Sequence, residues 1–321
     1  IDLVPPEILA IQDLNLDSFP ELLLTSRAFG GLSTTYLLQV RAWDGQAFSS
    51  VPVLPPSYPY RSHAELDFLD FQGELWGITY HAGRVELGDV DQNGTTEFII
   101  HSGIPGHPNL AASGTWRRAT DVFTWNGEAF VLLHSEIEPA VYRFQAAHDA
   151  DQAVLLGDYE RALLLYQEVI SSDRLAGWSP ELYDQLLELV EAYAIGLPTP
   201  TPLPASAEET SHLTAYAYFR TLVLHALQGD EQEAQIVYDA LIEQFPAGQP
   251  GYASAELATA FWQAYLSTHE VGQACTQALD AIGDSTEDIL YWLDGNFHGR
   301  QAPRYSPLDL CPFGQHLVGD T

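Results

Sequence analysis

Oxygen-bearing side chains alternate along the segment 89–97, which ends in a glutamate just before an apolar run. A hard cation such as Ca²⁺ takes about six to eight oxygen ligands, and side chains that alternate on a tight loop converge on one point. Gly94, at the sixth position, allows the tight turn, and the backbone carbonyl of Thr95 can add an oxygen. The side chains predicted to bind the cation are those of Asp89, Asp91, Asn93 and Glu97.

A second acidic segment occurs near the beginning of the chain. Residues 13–24 match residues 89–100 position by position, although Ser18 replaces the glycine and Pro20 follows. In the later copy the twelfth position is Ile100 instead of the bidentate glutamate that closes an EF-hand loop. Each loop is therefore predicted to lead into a β-strand and not to lie between two helices.

Both segments resemble the calcium loops of FG-GAP/VCBS repeats in integrin-type β-propellers, whose D-x-D-x-[DN]-G-x-x-[DE] pattern runs into an apolar strand. The resemblance covers residues 1–140 and departs from the pattern at Ser18 and Pro20, which favours the second loop as the calcium site. It implies calcium-ligand roles for two sets of residues, Asp89, Asp91, Asn93, Thr95 (carbonyl) and Glu97 in one, and Asp13, Asn15, Asp17, Phe19 (carbonyl) and Glu21 in the other.

Short alternating or apolar runs, bounded by Gly, Pro, Asn and Asp, continue to about residue 140 and predict β-strands. A second signature also recurs, because Trp43–Phe48 matches Trp125–Phe130. The dipeptides Asp44-Gly45 and Asn126-Gly127 predict type I′ hairpins, in which both central residues take positive φ. Two repeats are too few to close a propeller. The β region is therefore expected to be a fragment, a divergent small sheet assembly, or part of a fold that another chain completes.

Beyond residue 140 the pattern becomes helical and repeats again. Residues 157–162, followed by Tyr166, match residues 229–234, followed by Tyr238. These segments resemble tetratricopeptide repeats, in which Gly-Asp-Tyr-x-x-Ala-x-x-x-Tyr opens the second helix of each pair. The resemblance implies stacked helix pairs with a concave groove that binds peptides or neighbouring subunits. A plain helical bundle is the alternative.

Two further features of the helical half bear on its environment. The Pro/Thr-rich segment 197–205 predicts an extended polyproline II strap, with Thr199 and Thr201 as possible glycosylation sites or as parts of a bare spacer. Cys275 and Cys311 are an even pair, which predicts a disulfide outside the cell, with two free buried thiols as the alternative.

Composition narrows the partners and the location. The net charge of −32 repels nucleic acid and anionic membranes and favours divalent cations and basic proteins. The sequence contains no methionine, even at position 1, so we expect a processed N-terminus, which a removed signal peptide explains simply, or a fragment as the alternative. No run of 18 apolar residues is present, so no membrane-spanning segment is expected.

Motifs typical of enzymes are missing from the sequence, namely G-x-S-x-G, H-E-x-x-H and the P-loop. With 44 acidic residues, no carboxylate pair can be singled out as an acid and base. We therefore assign no catalytic residue and expect a protein that is not an enzyme.

The sequence predicts a two-part α+β protein. A β domain at 1–140 has two propeller-blade-like antiparallel repeats, and an α-helical domain with tetratricopeptide-like repeats spans 141–321. The expected function is that of a secreted or cell-surface calcium-binding protein that mediates protein–protein interaction, with other proteins or with its own copies in an oligomer or filament. A secreted carboxylate-dependent hydrolase and a ligand-binding surface lipoprotein are the alternatives.

Overall fold

A computed structural model describes residues 3–30, 33–54, 78–81, 83–103, 117–178, 184, 188, 207–293 and 305–313. The chain divides into two compact units, and the division falls between Pro139 and Ala140. The described part of the first unit is built from strands, and that of the second from helices. The two-part α+β layout predicted from the sequence is therefore present.

The first sheet is a meander in which each strand is antiparallel to the one before it, and an additional strand, β6, pairs with β3. Its strands are β1 (Leu3–Gln12), β2 (Glu21–Gly30), β3 (Ser33–Trp43), β4 (Phe48–Val51) and β6 (Ile78–His81). The first acidic segment connects β1 to β2, as predicted.

The second sheet repeats this meander and adds one parallel strand. Its antiparallel strands are β7 (Arg84–Gly88), β8 (Glu97–Ser102), β9 (Ala119–Trp125) and β10 (Phe130–Ile137). The short strand β5 (Val53–Leu54) follows β4 in the chain but pairs in parallel with β10. The Pro52 carbonyl accepts a hydrogen bond from the Phe130 N–H at 2.9 Å. This parallel pair is an exception to the antiparallel arrangement that the sequence predicts.

Both sheets contribute to one hydrophobic core because alternate residues of each strand point to the same face. In β2, Leu23 is buried between the partly exposed Leu22 and Leu24. Phe98 packs against Phe123 and Phe130, with ring centroids 5.0 Å apart in each case. The core comprises Leu14, Leu23, Leu38, Val40, Val51, Val53, Phe98, Ile100, Phe123 and Phe130.

The two hairpins at the second signature are alike, but they are not type I′ turns. Only the glycines take positive φ, 95° at Gly45 and 105° at Gly127. Trp43 pairs with Phe48, so residues 44–47 all belong to the loop. The Asp44 carboxylate accepts the N–H groups of the two residues that follow Gly45, each at 2.8 Å. The type I′ prediction is wrong because this side chain satisfies the loop backbone in a longer turn.

The described helices of the second unit form successive packed pairs, α1 with α2, α3 with α4 and α5 with α6, followed by shorter helices. They are α1 (Arg143–Leu155), α2 (Tyr159–Ser171), α3 (Ala207–Leu227), α4 (Glu231–Gln244), α5 (Tyr252–Thr268), α6 (Val271–Ile282), α7 (Thr286–Leu293) and α8 (Pro307–Leu310). None of these described helices combines the length and apolar character that crossing a membrane requires.

The repeated Gly-Asp dipeptide builds the same turn in the first two helix pairs. Gly157 and Gly229 end helices with φ of 74° and 75°, a conformation that favours glycine. Asp158 and Asp230 then cap the next helix, each accepting a backbone N–H at 3.2 Å. The two Gly-Asp segments thus share their turn geometry as well as their sequence. Assignment of these helices to the tetratricopeptide family stays a prediction.

Candidate metal centre

The carboxylates of the second acidic loop converge. One oxygen from each of Asp89, Asp91 and Glu97 lies within 4.8 Å of the other two. Asp89 and Asp91 are exposed, whereas Glu97 is 0% exposed at the base of the loop. Two unit charges at this separation repel by about 1 kcal/mol in bulk water and by about 3 kcal/mol at the effective dielectric of a protein surface. A divalent cation would remove that repulsion.

Strands on either side fix the ends of this loop. Gly88 ends β7 opposite Glu97, which begins β8. Between them the chain turns through two left-handed residues, Gln92 at φ 60° and Gly94 at φ 89°. The Gly94 N–H donates to Oδ2 of Asp89 at 3.1 Å, and this hydrogen bond holds the first carboxylate over the loop.

The Glu97 side chain makes hydrogen bonds to both ends of the loop and to the neighbouring strand. Its Oε2 accepts the Val90 N–H at 2.8 Å. Its Oε1 accepts the hydroxyl of Thr124 on β9 at 3.1 Å. The same oxygen lies 3.0 Å from the Thr95 hydroxyl, whose single proton it shares with Oδ1 of Asn93. Glu97 therefore ties the loop to the neighbouring strand as well as to its own beginning.

The first acidic loop has the same framework. Gln12 ends β1 opposite Glu21, which begins β2. Oε2 of Glu21 accepts the Leu14 N–H at 2.8 Å, the contact that Val90 makes in the second loop. The Ser18 N–H donates to Oδ2 of Asp13 at 3.0 Å, in the place of Gly94. Replacing the glycine has not changed the turn.

Positions 3 and 5 exchange their side chains between the loops but keep their contact. In the first loop, Asn15 donates from Nδ2 to Asp17 at 3.2 Å. In the second, Asn93 donates from Nδ2 to Asp91 at 2.9 Å. Both loops thus place an amide and a carboxylate side by side at these two positions.

Glu21 differs from Glu97 in its surroundings. It is 0% exposed, and its Oε1 has no hydrogen-bond partner within the described part of the chain. Burial raises the pKa of Glu21, and the negative charges of Asp17 and Asp13 raise it further, while the backbone N–H groups of Leu14 and Asn15 lower it. The oxygen that lacks a partner belongs to a side chain on which both loop aspartates act.

The donor set of each loop suits a hard cation. Three carboxylates are expected as ligands in each loop, and the other expected ligands are amide or carbonyl oxygens. Ca²⁺ prefers oxygen ligands of these kinds. Sulfur and imidazole, which soft metals prefer, are not among them. The residues therefore fit calcium chemically in both loops, although only the second brings three carboxylates within 4.8 Å.

A buried polar cluster in the second unit was not predicted from the sequence. Asp151 is 0% exposed and accepts hydrogen bonds from the hydroxyls of Tyr166, of Tyr216 at 2.9 Å and of Tyr305 at 2.6 Å. Arg220 lies 3.4 Å from the same carboxylate. Burial raises the pKa of Asp151, and Arg220 and the three hydroxyls act in the opposite direction. An arginine within the apolar run of α3 was the available signal.

The same cluster fastens a late segment of the chain to the helices. Arg220 donates from Nη1 to the carbonyls of Asp309 and Leu310, at 2.9 and 2.8 Å. Cys275 on α6 and Cys311 form a disulfide, so the predicted pairing is present and the free-thiol alternative is not. The possible glycosylation sites Thr199 and Thr201 lie outside the described residues.

Glu209, in the first turn of α3, is a second carboxyl within this unit that is 0% exposed. Burial raises its pKa from 4.5 to about 8, and the Trp178 backbone and the Arg143 guanidinium offset this only in part. Asp151 and Glu209 are both 0% exposed, so neither carboxyl is accessible to a substrate in this structure.

No protein-family model, curated protein or solved structure matches this chain. The geometry of the acidic loops is consequently the main basis for assigning a function.

Proposed function

We propose that this chain is a secreted or cell-surface, non-enzymatic protein that binds calcium in the acidic loops 13–21 and 89–97 and mediates protein–protein interaction. The observation that carries the proposal is the repetition of one hydrogen-bond framework in both loops. In each, a buried glutamate accepts the N–H at position 2, and the first aspartate accepts the N–H at position 6.

A loop of this shape concentrates negative charge in a way that a simple turn does not require. The backbone N–H groups could be satisfied by a single Asx side chain, as they are at Asp44. The second loop instead brings three carboxylates within 4.8 Å of one another in a chain whose net charge is already −32. Binding of a divalent cation is the function that best accounts for this arrangement.

Two features support the interaction part of the proposal. β1 is an edge strand, paired with β2 and with no other described strand, and edge strands offer backbone groups to a partner strand. Its side chains Ile8 and Ile11 are 59% and 61% exposed. The disulfide is consistent with an oxidising compartment, which supports the secreted or cell-surface part.

Calorimetric titration with CaCl₂ and thermal unfolding in calcium or chelator test the metal part. We expect binding heat and a higher Tm in calcium, and we expect Asp89→Asn/Asp91→Asn to remove the contribution of the second loop. Glu243→Gln/Asp280→Asn, which removes two exposed acids from the helices, is the matched control and keeps the full response. A wild-type chain that shows neither heat nor a change in Tm would overturn the calcium assignment.

A further inference from the structure

The two loop glutamates differ in how many of their acceptor sites are filled. A carboxylate offers about four lone-pair sites. Glu97 accepts one hydrogen bond at each oxygen, from Val90 and Thr124. Its Oε1 also shares the Thr95 hydroxyl proton with Asn93. Glu21 accepts one good hydrogen bond, at Oε2, and within the described residues its Oε1 accepts none. Both side chains are 0% exposed, so bulk solvent does not reach either carboxylate.

The difference between the two glutamates arises from two threonine hydroxyls that are present around Glu97 and absent around Glu21. Ala42 pairs with Glu21 across β2 and β3, where the second sheet has Thr124 beside Glu97. Phe19 stands where the second loop has Thr95. In the second sheet the Thr124 hydroxyl donates to the glutamate, and the Thr95 hydroxyl is shared between the glutamate and Asn93. The first loop has neither hydroxyl.

We propose that the first acidic loop, 13–21, is the one whose local structure depends on bound calcium, and that the second loop, 89–97, is held largely by its own hydroxyls. The inference rests on the proposed calcium function. It reverses the order of preference that the sequence gives, because Ser18 and Pro20 make the first loop the poorer match to the motif.

A buried carboxylate oxygen that lacks a donor is costly in the folded state, and a cation satisfies it directly. Calcium bound in the first loop fills acceptor sites of Glu21 that are otherwise empty. In the second loop, Oε1 of Glu97 already accepts the Thr124 hydroxyl and shares that of Thr95 with Asn93, so an ion competes with these hydroxyls or is confined to Oε2. The same ion therefore changes the first loop more than the second.

Hydrogen exchange, measured by mass spectrometry on the intact chain, reports the effect of calcium on each loop independently. Peptides covering 13–21 and 89–97 are followed in chelator and in CaCl₂. We expect the first loop to exchange faster in chelator and to gain more protection from calcium. Equal protection of both loops in chelator, or a larger calcium effect in the second, would overturn the inference. An absence of any calcium effect in either loop would instead overturn the proposed function.

Reciprocal substitutions supply the control without removing an acidic residue. Ala42→Thr places a hydroxyl opposite Glu21, and threonine is favourable in a strand. This variant should protect the first loop in chelator and reduce its gain from calcium. Thr124→Ala should make the second loop more calcium-dependent. If both variants keep the wild-type exchange pattern, the unfilled acceptor is not the cause and the inference fails.

Discussion

The side-chain amide of Gln12 donates a hydrogen bond to the hydroxyl of Thr96 at 2.9 Å. Gln12 immediately precedes the first acidic loop, and Thr96 lies near the end of the second, so this bond joins the two sheets where their acidic loops begin and end. This bond thereby brings the three acidic residues of the first loop toward the three acidic residues of the second. Charge in one loop is expected to affect the other.

Salt should therefore stabilise the first unit when calcium is absent. Raising the ionic strength from about 0.01 M to about 0.15 M shortens the screening length from about 30 Å to about 8 Å and weakens repulsion between the loops. In chelator we expect the Tm of the β unit to rise over this range, and in calcium we expect a smaller rise. Thermal unfolding followed by circular dichroism measures both, and an equal salt effect in the two conditions would contradict repulsion between the loops.

Glu209 should give the helical unit a pH-dependent stability. Because its pKa is raised from 4.5 to about 8, the folded chain keeps a proton that the unfolded chain releases between these values. The stabilisation is fully present below pH 4.5 and is lost as the pH rises through about 8, at up to about 1.4 kcal/mol per pH unit.

Glu209→Gln removes this titration. Urea unfolding between pH 5 and pH 9, at about one-unit steps, should show a flatter profile for the variant than for the wild type. Glu243→Gln, on the exposed face of α4, should keep the wild-type profile. A variant at Glu209 with an unchanged slope would show that the carboxyl ionises normally in the folded chain.

The Asp151 cluster should contribute strongly to the stability of the helical unit. Asp151→Ala leaves the buried Arg220 without its carboxylate, and breaking a buried pair in this way costs about 3–5 kcal/mol. Tyr305→Phe removes one hydroxyl from the carboxylate and should cost about 1.5–3 kcal/mol. Tyr252→Phe, at an exposed ring, is the control and should change the free energy of unfolding by less than about 0.5 kcal/mol. Denaturant titration distinguishes the three variants, and similar losses in all of them would contradict the cluster's role.

Self-association should depend on the edge strand β1. Ile8→Lys/Ile11→Lys places charge on the exposed apolar side chains of this edge and should lower association without changing Tm. Leu164→Lys, at a similarly exposed position on α2, should leave association as in the wild type. Sedimentation velocity in calcium over a wide range of protein concentration provides the measurement. A wild-type chain that stays monomeric throughout would exclude association between copies.

The sequence predicts the two acidic loops, the hairpins and the repeated helix turn because each is a local feature. Asp158 and Asp230, for example, cap helices with hydrogen bonds that span three residues. The hairpin type was wrong for an equally local reason, since Asp44 satisfies its loop with its own side chain. Calcium binding itself stays a prediction.

Features that depend on contacts between residues far apart in the sequence could not be predicted from the sequence. The difference between Glu21 and Glu97 depends on whether Ala42 or Thr124 stands beside the glutamate, which requires the register of a neighbouring strand. Tyr305 reaches Asp151 across a separation of 154 residues. No periodicity in the sequence connects such pairs, because their contact exists only after the helices have packed.

The parallel pair of β5 and β10 limits how far the two β repeats can act as separate modules. β5 follows the first meander in the chain, yet its partner, beginning at Phe130, is the last strand of the second. If the two meanders arose by duplication of an ancestral unit, a strand that follows the first copy has since become part of the sheet of the second. A gene cut between them would leave β10 paired with β9 but without its parallel partner β5, so the β unit should be inherited, expressed and unfolded as a whole.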